Sequence, residues 1–120
     1  MSAFRVLVVD DDLDIRELLV AVLSDDGYEA QSARNGREAL ALLEHWKADV
    51  VILDLMMPVM DGWTFAEQMR QKWRIPIVVL SAGTDLSRHG ERLGAAAVVP
   101  KPFDLETLLP RIASVVASAS

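Results

Sequence analysis

The sequence predicts an α/β domain, a doubly wound five-stranded parallel sheet with five helices. Short apolar runs rich in β-branched residues, each too short for a helix, alternate with stretches whose apolar residues recur at helical spacing. Only a few residues join successive elements. That rhythm implies right-handed βαβ units and a parallel sheet covered on both faces. The 120 residues, 52% hydrophobic, suffice for one sizeable core and leave little room for a second. Residues 1–120 therefore read as a single domain with no output domain visible, and no repeat, low-complexity tract or linker interrupts them.

The first strand is Phe4 to Val9, and three acids follow it at Asp10, Asp11 and Asp12. Ile15, Leu18, Leu19, Val22 and Leu23 then fall at helical spacing, with Asp12 as N-cap and Gly27 as the stop. Tyr28 to Ala33 is a weaker strand. Asn35-Gly36 turns the chain into a helix whose inner face is Ala39, Leu40, Leu43 and Trp46. The third strand, Asp49-Val50-Val51-Ile52-Leu53-Asp54, ends on a carboxylate and breaks at Pro58 and Gly62. A third helix from Trp63 to Trp73 buries Phe65, Ala66 and Met69, and Ile75 to Leu80 forms the fourth strand, with Ser81 at its end. Asp85 to Leu93 is a short fourth helix closed by Gly94, and Ala96 to Val99 is the fifth strand, leading into Pro100-Lys101-Pro102. The last helix follows an Asp104 N-cap and turns Leu105, Leu108, Leu109, Ile112, Val115 and Val116 inward. Pro110 lies inside it. An interior proline costs about 3 kcal/mol in an exposed helix, so a kink or an offset start is expected.

A net charge of −6 argues against nucleic-acid binding, which needs clustered Lys and Arg. The absence of cysteine excludes disulfides and thiol chemistry and suits a reducing cytosol. Met1-Ser2-Ala3-Phe4-Arg5 lacks the order of a signal peptide, and no apolar run approaches the ~20 residues that span a bilayer. A soluble, cytoplasmic protein is the expectation.

The polar residues are informative by position. The first, third, fourth and fifth strands end in Asp10-Asp11, Asp54, Ser81 and Lys101. In open doubly wound sheets that carboxyl edge is where ligands bind. Three carboxylates within a few ångströms repel by roughly 4 kcal/mol per pair at an effective dielectric of ~20, so they raise each other's pKa or hold a cation. All-oxygen ligation favours Mg²⁺ or Mn²⁺ over Zn²⁺. Lys101 then offers a point charge and Ser81 a hydroxyl to a phosphoryl group, and Asp54 can be a nucleophile.

These elements together resemble the receiver domain of two-component response regulators: Asp10-Asp11, Asp54 within Leu53-Asp54-Leu55-Met56-Met57-Pro58-Val59-Met60-Asp61-Gly62, Ser81 in Leu80-Ser81-Ala82, and Lys101 in Lys101-Pro102-Phe103. The match covers essentially the whole chain in order and at family-like spacing. The resemblance implies a flavodoxin-like strand order of 2-1-3-4-5 and a phosphoacceptor at Asp54. It also implies Mg²⁺ held by Asp10, Asp11, Asp54 and the Met56 carbonyl, phosphoryl contacts from Ser81 and Lys101, and a cis Lys101-Pro102 bond. The partners it implies are a histidine kinase or histidine phosphotransfer protein as donor, and a downstream protein bound by the face of the fourth helix, fifth strand and fifth helix. Such domains modify themselves and then lose the phosphoryl group to water, so the chain is not counted as an enzyme.

Three features depart from the commonest pattern. Val98 stands where an aromatic rotamer switch is usual, and the interval from Ser81 to Lys101 is about two residues short. Ala95, Ala96 and Ala97 replace acids that would pair with Arg111 in a salt-bridged dimer, so that dimer is not expected.

Blander readings apply elsewhere. Asp54 alone could merely cap a turn. Asp12 reads as a helix cap and Asp14 as solvated, while Asp61-Gly62 makes a turn. Met57 and Met60 are packing, and His45 and His89 lack metal-ligand spacing. Trp46, Trp63 and Trp73 suit core or rim, although Trp63 is placed to sense the site. Arg70, Lys72 and Arg74 read as a solvated helix end. Two other functions compete. Asp10-Asp11-Asp12 superficially resembles the start of aspartyl-nucleophile phosphatases of the haloacid dehalogenase type, which want Thr or Val at the place of Asp14 and usually a longer chain. A receiver-fold binding module that is never phosphorylated is the other.

Overall fold

β1 (Arg5–Val9) forms because Val6 to Val9 have no exposed surface at all, so their branched side chains are packed on both faces. A computed structural model describes residues 3–57, 59–82 and 86–119; residues 86–89 and 119 are described in backbone alone. The sequence readings at Met1-Ser2, Pro58 and Asp85, and that of the His89 side chain, lie outside what is described.

The elements continue as α1 (Leu13–Asp25), β2 (Glu29–Ala33), α2 (Gly36–Leu43), β3 (Val50–Asp54), α3 (Gly62–Arg70), β4 (Ile77–Ser81), α4 (Leu86–Leu93), β5 (Ala97–Pro100) and α5 (Leu105–Ala119). The five strands pair in parallel in the order β2-β1-β3-β4-β5, as the resemblance implied. β1, β3 and β4 are central and almost wholly apolar, whereas the edges β2 and β5 are partly exposed. Pro100 sits at the last position of the edge strand, where a missing N–H is tolerated.

Alternation along each strand divides the core. Leu7, Val9, Val51, Leu53, Ile77 and Val79 face Ala39, Leu43, Phe65, Ala66, Met69 and Leu93 of α2, α3 and α4. Val6, Val8, Val50, Ile52, Val78 and Leu80 face Leu19 and Leu23 of α1 and Leu108, Ile112, Val115 and Val116 of α5.

Short polar side chains start most of the helices. Asp12, Asn35, Asp61 and Asp104 each accept a backbone N–H from two or three residues on. Gly27 and Gly94, at φ 95° and 64°, provide the left-handed turns after α1 and α4. Several expectations change. Leu18 is exposed, because five apolar positions are more than the inner face of α1 can hold. Trp46 falls beyond α2, half-buried against the core. α5 starts directly after Asp104 and runs through Pro110 without an offset, Pro110 lying on the solvent side. Among the described residues, no helix is long and apolar enough to cross a membrane.

Candidate functional site

Strand order reverses at β1, whose neighbours β2 and β3 lead away in opposite directions. That reversal opens a crevice at the carboxyl edge. Asp10 follows β1 and Asp54 ends β3; Asp10 is fully buried and Asp54 is 4% exposed, while Asp11 lies in the open. One oxygen from each of the three carboxylates lies within 4.8 Å of the others.

Neighbouring groups hold the acids in place. The Asp12 N–H donates to Asp10 Oδ1 at 2.9 Å, and the Met56 N–H donates to Asp54 Oδ1 at 3.1 Å. Asp54 thus also makes the turn of the blander reading. Lys101 Nζ lies 2.9 Å from Asp10 Oδ2 and 3.3 Å from Asp54 Oδ2. The ammonium spans both buried acids. Its backbone is fixed too, since the Lys101 N–H donates to the Ser81 carbonyl at 2.9 Å; the Lys101-Pro102 bond that follows is cis. Ser81 is itself buried at the end of β4, where its predecessor Leu80 pairs with Asp54.

The charges are poised against one another. Burial, more than anything else, pushes the Asp54 carboxyl above its usual range; Asp10 adds to this, and the Met56 N–H and Lys101 resist it. For Lys101, burial alone would lower the pKa. Its hydrogen bond to Asp10 and the charges of Asp10 and Asp54 outweigh that and raise it.

All six residues singled out in the sequence meet at this edge. Met56 does so through its backbone, its side chain being 72% exposed. The donor set suits a hard cation: among the described residues it is three carboxylates, two of them buried and bridged by an ammonium. Arg16 was not anticipated. Its guanidinium donates to the Asp10 carbonyl oxygen at 2.8 Å, and the only sequence signal for it is its place in the early turns of α1.

Beside Lys101 lies an apolar groove of about 520 Å³, lined by Ile15, Leu18, Ala82, Pro102 and Phe103. A cavity of about 700 Å³ opens at the opposite edge, between Trp46 and Trp73. Several of its charges are already engaged there, Arg5 with Glu29 and Glu44 with Lys72. The chemistry therefore selects the carboxyl edge over the roomier cavity.

The response regulator receiver domain model matches residues 6–113. The chain belongs to that family. The response regulator MprA of Mycolicibacterium vanbaalenii is 45% identical over 111 residues, which are 90% of this chain and 48% of that protein. A probable transcriptional regulator, ycf27 of Porphyridium aerugineum, is 39% identical over 117 residues, 96% of this chain and 49% of that one. The receiver thus spans about half the length of these relatives. Among solved structures, the chemotaxis protein CheY4 of Vibrio cholerae superposes with a TM-score of 0.88 at 38% identity, covering 95% of this chain and 99% of that one. The response regulator TrrA of Thermotoga maritima, solved in complex with Mg²⁺-BeF, gives a TM-score of 0.83 at 35% identity, with 93% and 98% covered. The receiver belongs to two-component signalling, and its fold is the one these neighbours share.

Proposed function

We propose that this receiver is a phosphorylation-dependent switch in which Asp54 accepts a phosphoryl group from a phosphohistidine of a histidine kinase or histidine phosphotransfer protein. The observation that carries this reading is the cluster of Asp10, Asp11 and Asp54 at the carboxyl edge with the Lys101 ammonium across two of them. An Asp54 oxygen attacks phosphorus, the P–N bond breaks, and its electron pair returns to the imidazole. Little covalent chemistry is asked of the protein, so alignment and charge neutralisation dominate.

Asp10, Asp11, Asp54 and the Met56 carbonyl would hold Mg²⁺ or Mn²⁺, which neutralises charge on the transferring oxygens. Lys101 meets another phosphoryl oxygen and Ser81 donates its hydroxyl. The apolar groove beside Lys101, with Leu13, Met56 and Val59 exposed along the same edge, is the surface we assign to the donor protein, because the phosphohistidine must come within bonding reach of Asp54. A downstream protein reads the face of α4, β5 and α5, where Ala96 and Arg111 are exposed. The salt-bridged dimer is not expected, since Ala95, Ala96 and Ala97 stand where the acids that would pair with Arg111 are usual. In this reading the receiver is a cytoplasmic switch that does not itself bind nucleic acid or membranes, and not an enzyme beyond its own modification.

Intact-mass spectrometry after incubation with acetyl phosphate, with and without Mg²⁺, tests it on wild type and Asp54→Asn. A single labile phosphoryl adduct that requires both the ion and Asp54 is expected. No adduct under any condition would mean a module that works by binding alone, and multiple turnover of a phosphate ester would mean a phosphatase.

A further inference from the structure

Trp63 lies one residue inside α3, and the residue before it presses on the site. The Gly62 N–H donates to the Leu55 carbonyl at 3.1 Å, and a Cβ on Gly62 would fall 2.8 Å from Leu55 Cα and 3.0 Å from the Asp54 carbonyl oxygen. The start of α3 has no slack against the strand end that carries Asp54. The Trp63 ring in turn lies 4.6 Å from the Arg92 guanidinium, which belongs to the last turn of α4. Arg70, at the end of α3, reaches the carbonyl oxygens of Leu93 and Gly94. Two cations therefore tie α3 to α4. On the other side of α4, Gly90 sits so close to Val98 that a Cβ there would lie 2.5 Å from Val98 Cγ2.

We propose that Trp63 and Arg92 are positioning residues that couple the state of Asp54 to α4. The proposal rests on the reading of Asp54 as phosphoacceptor. A phosphoryl group brings close to two negative charges to Asp54, whose carboxylate already holds the Met56 N–H. Any adjustment of the Asp54-Leu55 backbone is felt at Gly62, because backbone meets backbone there. The rigid indole on the next residue carries it to Arg92. Val98 is too short to sweep through the space between β5 and the site, whereas the Trp63–Arg92 pair is long and lies on the opposite flank of α4. An exposed cation–π contact of this kind can bias a two-state equilibrium by about two- to five-fold, enough to shift the balance of α4 without dominating it.

The test uses the full chain with Trp46→Phe and Trp73→Phe, so that Trp63 is the sole indole. After acetyl phosphate and Mg²⁺, intact mass reports the adduct, emission reports Trp63, and amide hydrogen exchange reports residues 86–93. The adduct should shift the Trp63 emission and alter exchange in α4. Arg92→Gln should form the adduct to the same extent yet lose at least half of the exchange response, and Arg92→Lys should retain it. If the tryptophan replacements prevent folding, the exchange comparison on the otherwise unaltered chain decides. An undiminished response in Arg92→Gln, or a silent Trp63 in the presence of adduct, overturns the coupling. No adduct on wild type overturns the phosphoacceptor reading and the coupling with it.

Discussion

Asp54 is held against its own chemistry. It is buried beside a second buried acid, and Lys101 lies closer to that acid, at 2.9 Å, than to Asp54, at 3.3 Å. With its pKa raised in the folded chain, Asp54 favours folding only while protonated. That contribution is full below the ordinary carboxylate value and is lost as pH rises through the raised value; at neutral pH the ionised group opposes folding. Asp54→Asn keeps an acceptor for the Met56 N–H and removes the charge. In chelator-treated protein the variant should therefore melt above wild type at pH 7, and the gap should close as pH falls below the usual carboxylate range. Equal melting temperatures at both pH values would contradict it. The same substitution removes the phosphoacceptor, so a gain in stability would accompany the loss of modification.

Among the elements, α3 is the one most tightly fitted to the site. Gly62→Ala adds a methyl group where backbone atoms lie at 2.8 and 3.0 Å, and backbone cannot turn aside as a flexible side chain can. Alanine favours a helix interior by about 1 kcal/mol, but overpacking of this kind costs about 1–3 kcal/mol. A net loss near 1 kcal/mol is expected from urea denaturation, similar to the loss of the Asp61 cap in Asp61→Ala, typically about 1 kcal/mol. A Gly62→Ala chain as stable as wild type would mean that α3 moves away freely. Element boundaries were legible in the sequence wherever a single side chain decides them, as at Asp12, Asn35 and Asp104. What could not be read was which long side chain crosses to which neighbour. Arg70 reads as a solvated end and instead meets the carbonyls of Leu93 and Gly94 where α4 ends, 23 and 24 residues away. Periodicity places a residue on a face but is blind to what a flexible cation reaches from it.

For the molecule as a whole, the site was legible because each of its parts ends an apolar run, and parallel topology brings such ends to one edge. The pairing within it was less so: residue order does not say that Lys101, 91 positions from Asp10, sits nearer to that acid than to Asp54, or that Arg16 holds the Asp10 carbonyl. That pairing has a consequence for global stability. Lys101 compensates two buried acids in the metal-free chain, and a divalent ion in the same cluster would compete with it for them. Lys101→Ala should lower the melting temperature without metal, since stripping one partner from a buried pair costs about 3 kcal/mol or more. The same variant should gain more from Mg²⁺ than wild type does. Ion at a hundred times its dissociation constant stabilises by about 2.7 kcal/mol, so a shift of several degrees is available to compare. Asp11→Ala should behave in the opposite sense: its exposed carboxylate contributes little to the metal-free fold, but its loss should shrink the Mg²⁺-dependent shift. Thermal melts of the three proteins across a Mg²⁺ titration separate the two effects. A Lys101→Ala chain that responds to Mg²⁺ no more than wild type would show that the ammonium and the ion do not contend for the same oxygens.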